Sequence, residues 1–126
     1  MEIAAIAAVA LLAVITLFQA ALALGAPWGH AAWGGRHPGV LPTRLRIASG
    51  VAAVVVYPLV MVYVLAASGL ITADLPGSDG PAMWILAVLF TIGAIMNLIS
   101  PSRLERIWGP VSGVIALCCA VIALGM

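Results

Sequence analysis

The side chains able to hold a polar ligand are few and clustered. His30, His37, Arg36, Arg44 and Arg46 share one Gly- and Pro-rich stretch, and Arg103 and Arg106 lie on a second stretch far along the chain. Guanidinium groups fork onto carboxylate or phosphate. Gln19 and Asn97 add amides that both donate and accept. Together these would make a pocket for an anionic group. The simpler alternative is that the arginines touch anionic headgroups, each adding about 1 kcal/mol of membrane attraction. His30 and His37 are accompanied by no thiol or carboxylate, so no metal site is expected. The candidate ligand-binding residues are Gln19, Trp28, His30, Trp33, Arg36, His37, Arg44, Arg46, Asn97, Arg103 and Arg106; no catalytic residue is assigned and no cofactor is expected.

These residues must be positioned by an unusually apolar chain. Of 126 residues, 65% are hydrophobic and 7% charged, with a mean hydropathy of +1.26. Five arginines and four acids cannot clothe a water-soluble domain of this size. Disorder requires low hydrophobicity, and nucleic-acid binding requires a basic face. Four apolar stretches, near 3–24, 47–71, 83–99 and 107–126, approach the length of a membrane span. They lack the alternation of a barrel strand, so an all-α four-helix transmembrane bundle forming a single domain is expected. The first stretch follows Met1-Glu2 without a positive charge and is too long for a signal core, so it reads as a span rather than a cleaved leader.

Local signals refine the boundaries. Pro81 suits a first helical turn, Pro76-Gly77 suits a type II turn, and Ser102 with Glu105 forms a capping box. The helix so capped meets Pro110, which leaves open whether the fourth helix begins near Arg103 or after the proline. Pro58 should bend the second helix.

All five arginines fall on the first and third connections, whereas Glu2, Asp74 and Asp79 fall on the opposite side. The positive-inside rule predicts an N-out, C-out protein of the inner (cytoplasmic) membrane, with Trp28, Trp33 and Trp108 near the cytoplasmic interface and Trp84 near the outer one. No ionisable residue is expected within the bilayer, which argues against proton-coupled exporters. The uncharged polar residues Thr16, Ser49, Thr91 and Ser112 read as hydrogen-bonding within or between helices. Small residues four apart, such as Ala4 with Ala8 and Ser112 with Ala116 and Ala120, suit close helix contact within one chain. Adjacent Cys118 and Cys119 read as apolar packers, without the C-x-x-C of a redox pair.

The first connection, Gly25 to Arg46, holds five Gly, three Pro and two Trp. Proline stiffens it and tryptophan anchors it, which predicts an ordered cytoplasmic loop folded over the mouth of the bundle. The run Ala23-Leu-Gly-Ala-Pro-Trp-Gly29, then Trp33-Gly34-Gly35, Leu41-Pro42, Arg44-Leu45-Arg46 and Asn97 to Pro110, resembles a set of uncharacterised small bacterial membrane proteins with four predicted spans. That resemblance implies a fold and no activity.

Three functions fit these residues. The preferred one is a non-catalytic protein that binds a lipid headgroup, a small anion or a partner subunit at its cytoplasmic face. The others are a small membrane enzyme acting on a lipid-soluble substrate and a homodimeric transporter or channel. The expected partners are membrane lipids and either a second copy or a larger membrane complex, with no nucleic acid. Topology is directly testable on a background lacking Cys118 and Cys119. In intact cells an impermeant thiol reagent is expected to label Ser78→Cys, and to reach Gly39→Cys only after permeabilisation.

Overall fold

The structure, a computed structural model, describes residues 1–126. It is all helical, and four helices are long and apolar enough to cross a membrane: α1 (Glu2–Ala23), α2 (Thr43–Ala67), α3 (Pro81–Leu98) and α4 (Glu105–Leu124, opening with a single 3-10 turn over Glu105–Ile107). These mark the chain as a membrane protein.

The ends of the helices follow from local chemistry. α1 and α2 both stop in a Schellman motif, where a glycine takes the left-handed conformation and the next amides close back onto the last turn. Gly25 (φ +101°) and Ala26 donate to the carbonyls of Leu22 and Ala21, and Gly69 (φ +81°) and Leu70 donate to those of Ala66 and Leu65. The second stop explains why α2 ends before Leu70 and Ile71, although the apolar run continues through them. At its start α2 reaches back to Thr43, directly after Pro42, taking Arg44 and Arg46 into its first turn. Pro81 opens α3, and Pro110 is the third residue of the α-helical part of α4, Trp108–Leu124, so each sits in a first turn where amides have no α-helical partner to lose.

Pro58 acts through a π turn. Over Ala52–Val56 the helix widens, and the Tyr57 amide donates to the Ala52 carbonyl, one residue further back than in an α-helix. The helix continues through the proline to Ala67. Between α2 and α3, the Ser78 amide donates to the Leu75 carbonyl across Pro76-Gly77, with Gly77 at φ +77°, as a type II turn requires. The Tyr63 hydroxyl donates to the Pro76 carbonyl (2.9 Å), tying this turn to α2.

The helices form a ring in chain order. α1 lies between α2 and α4, α3 packs most closely on α4, and α2 touches α3 only lightly. Connections 1 and 3 meet at one end, where His30, Gly34 and Ala31 bond to Ser102, Glu105 and Trp108. Both chain termini meet at the other end, where Met1 lies beside Gly125. All five arginines therefore belong to one end of the bundle.

One apolar core joins all four helices, including Ala5, Ala8 and Leu12 of α1, Val64 of α2, Met83 of α3, and Ile115, Cys119 and Ile122 of α4. Thr16 and Thr91 spend their hydroxyls on their own helices, donating to the Leu12 and Ala87 carbonyls (2.7 Å each). Because lipid replaces water outside, packing rather than hydrophobic transfer decides stability. Leu12→Ala opens a void at a fully buried site and is expected to cost about 2 kcal/mol. Leu17→Ala, at a site 72% exposed to lipid, is expected to change thermal stability little; comparing the two melting temperatures in one detergent checks this.

Candidate functional site: a capped cavity at the arginine-bearing end

The buried face of each helix is apolar at the terminal end and polar at the other. In α1 the buried residues are Ala5, Ala8, Leu12, Ile15 and Leu22. They alternate steps of three and four, the spacing of helices packed at a shallow angle. Gln19 fills the gap in that stripe. In α4 the same rhythm runs through Glu105, Trp108, Ser112, Ile115, Cys119 and Ile122. In α3 it runs from Met83 and Ala87 to Ala94 and then Asn97. In α2 it runs from Ser49 through Ala53 and Tyr57 to Val64 and Ala67. Two successive steps of four there exceed the repeat by one residue, and the π turn absorbs the excess, keeping Tyr57 on the inner face.

Where the stripes turn polar the helices line a half-open cavity of about 220 Å³. α1 contributes Ile15, Phe18 and Gln19, α2 Tyr57, α3 Asn97, α4 Glu105, Trp108 and Ser112, and connection 1 covers it with Ala31, Ala32 and Trp33. Ile15 lies eight residues from the end of α1, so the floor is about 12 Å deep. The volume suits a group of several heavy atoms rather than one water.

Connection 1 is a built lid. Leu41 and Ala32 bury against Leu22 of α1, with Phe18 and Leu45 beside them. Phe18 stacks parallel on Trp28 (centroids 6.3 Å apart) and at a tilt on Trp108 (4.7 Å). Gly29 is buried where any Cβ would strike the His37 carbonyl, and its amide donates to the Gly39 carbonyl (2.8 Å). Trp33 holds φ +52°, a costly left-handed conformation for a bulky residue. Its neighbours compensate. The Trp33 indole N–H donates to the buried Ser49 hydroxyl (3.0 Å), and the Gly34 amide donates to Glu105 Oε2 (2.7 Å). The Trp108 indole N–H donates to the Ala31 carbonyl (2.9 Å), and the Ser102 hydroxyl donates to the His30 carbonyl.

Gln19, Trp33 and Asn97 thus meet at the cavity, and Trp28 stands behind Phe18. The other residues singled out from the sequence lie elsewhere. Arg46 donates to the Ala23 carbonyl (3.1 Å) at the end of α1, and Arg106 to the Ser100 carbonyl (2.7 Å) just past α3. Both place positive charge at a helix C-terminus. Arg36, Arg44, Arg103 and the His30 side chain are exposed, and His37 is half-buried within the lid, outside the cavity lining.

Glu105 is the residue that sequence reasoning placed differently. Half of its capping box forms, since its amide donates to the Ser102 hydroxyl (3.4 Å). The carboxylate does not turn back to the Ser102 amide; it turns inward, is 7% exposed and takes the Gly34 amide instead. The signal that finds it is register: Glu105 stands three residues before Trp108 and seven before Ser112, on the stripe that continues into the core.

The cavity offers hydrogen-bonding oxygens, the amide N–H groups of Gln19 and Asn97, and aromatic faces, with no imidazole, thiol or guanidinium in its lining. The Gln19 Oε1 atom is buried without any hydrogen-bond partner. Leaving an acceptor so costs about 1–3 kcal/mol. Gln19→Leu is therefore expected to raise the melting temperature of the ligand-free protein. Ser49→Ala, which strands the Trp33 indole N–H, is expected to lower stability by about 1–2 kcal/mol and to speed proteolysis of connection 1.

Compared with known proteins, the chain matches no family model, no curated protein and no solved structure.

Proposed function

We propose that this is a non-catalytic binding protein of the inner (cytoplasmic) membrane, N-out and C-out, whose capped cavity receives the polar end of a small membrane-dissolved molecule from the cytoplasmic leaflet. The observation that carries this reading is the unpartnered Gln19 Oε1 inside a cavity that also holds Glu105, Asn97, Ser112 and Tyr57. A polar group buried at such cost is supported by function rather than by folding. The orientation is supported by the gathering of every arginine at the capped end, where the exposed guanidiniums meet anionic headgroups. Among a lipid headgroup, a small anion and a partner subunit, a headgroup-like polar end fits best. An anion would need positive groups, and no guanidinium lines the cavity.

Tryptophan quenching tests the reading. With Trp28 and Trp84 replaced by Phe, emission reports on Trp33 and Trp108 at the cavity. In phosphatidylcholine nanodiscs, bromoalkyl amphiphiles of one chain length with hydroxyl, ammonium or carboxylate heads are titrated in. Saturable quenching by at least one head, lost in the cavity-filling Ser112→Leu, is the expected result. Unsaturable quenching by all heads, equal in both proteins, would overturn it.

A further inference from the structure

Resting on the proposal that the cavity takes a polar head, we infer that the head is a primary ammonium group, held by Glu105 and Gln19 against the surrounding aromatic rings. A census of hydrogen-bonding groups leads there. The fixed donors around the cavity are already engaged: the Trp33 indole on Ser49, the Trp108 indole on the Ala31 carbonyl, and the Gly34 amide on Glu105. Acceptors are left over. Gln19 Oε1 has no partner, and Glu105 takes a hydrogen bond on one of its two oxygens. The Gln19 and Asn97 amide nitrogens and the Tyr57 and Ser112 hydroxyls can donate as well. The unpartnered Gln19 Oε1 and the second Glu105 oxygen can only accept, and they favour an occupant that bears N–H or O–H donors.

Charge points the same way. Glu105 is the one acidic residue in the lining and no basic residue shares it. Its hydrogen bond comes from a main-chain amide, not from a guanidinium. A carboxylate buried without a counter-charge is costly, and a cation brought by the ligand offsets that cost. Arg106 stands one residue away along the chain, yet it is turned outward onto the Ser100 and Pro101 carbonyls.

The walls suit a cation as well. Phe18, Tyr57, Trp33 and Trp108 all line the cavity, and aromatic faces attract ammonium groups through the ring quadrupole. Aromatic rings alone would equally accept a quaternary ammonium. The unpartnered acceptors separate the two, because a primary ammonium has three N–H donors and a trimethylammonium has none. The chemistry is shared by the ethanolamine headgroup of a phospholipid and by a free amphiphilic amine.

The quenching titration decides between these chemistries. In phosphatidylcholine nanodiscs, bromoalkyl amine, trimethylammonium and alcohol of equal chain length are compared. The amine is expected to bind tightest. Glu105→Gln is expected to weaken the amine about tenfold relative to the alcohol. That variant keeps an amide oxygen to accept from Gly34, so the lid stays tied; helical circular dichroism and an unchanged proteolysis rate of connection 1 verify it. Replacing the nanodisc lipid by phosphatidylethanolamine identifies the source. Competition with the amine assigns the site to the headgroup, and undiminished amine binding assigns it to a free amine. Equal binding of amine, trimethylammonium and alcohol, or an amine-to-alcohol ratio unchanged by Glu105→Gln, would overturn the ammonium assignment while leaving a cavity that binds amphiphiles. Saturation by no head at all would remove both.

Discussion

Lipid chains solvate an apolar helix about as well as another helix does, so nothing squeezes these four spans together from outside. They cohere through the fit of one narrow stripe on each. Small residues at Ala5 and Ala8 let α1 approach α4 closely, and Ile115, Cys119 and Ile122 fill the space opposite. The same stripes carry the polar residues at the other end. Gln19 replaces an apolar residue in the rhythm of α1, and Glu105 and Ser112 do so in α4. A seam tight at one end and polar at the other leaves a cavity where its side chains no longer interlock.

Connection 1 covers one side of that cavity. A Gly- and Pro-rich connection would ordinarily gain little by lying on a bundle, since ordering each residue costs about 1–2 kcal/mol of backbone entropy. Here the cost is met by a small core of its own around Leu22, Ala32 and Leu41, by the Phe18 stack, and by hydrogen bonds to α2 and α4. The left-handed turn at Trp33 to Gly35 aims one indole at Ser49 and one amide at Glu105. Connection 1 and the cavity wall therefore share groups, since the Glu105 carboxylate that lines the cavity also holds the Gly34 amide.

The arginines show how residue type and residue role separate. Their placement on two connections marks one end of the bundle, and their affinity for anions is real. Two of them nevertheless satisfy main-chain carbonyls, Ala23 at the end of α1 and Ser100 two residues past α3, which have no helical amide to accept. A guanidinium near a helix end finds an acceptor at once, and what it binds there is backbone.

Much of this protein was legible in its residues. Composition and run length determine four apolar helices, since a bilayer leaves the backbone no other way to satisfy itself. The positions of arginine determine which connections share an end, and Pro81, Gly69 and Pro76-Gly77 mark starts, stops and turns through their own dihedral limits. Gln19, Trp33 and Asn97 stood out as polar or aromatic residues in unexpected places. What only tertiary structure decided is who faces whom. Glu105 reads locally as a helix cap, because Ser102 stands at capping distance. It becomes a cavity wall because the Gly34 amide, seventy-one residues earlier in the chain, arrives beside it and competes successfully for the carboxylate. Contacts of that range follow from how four stripes and a lid pack together, and no local pattern encodes them.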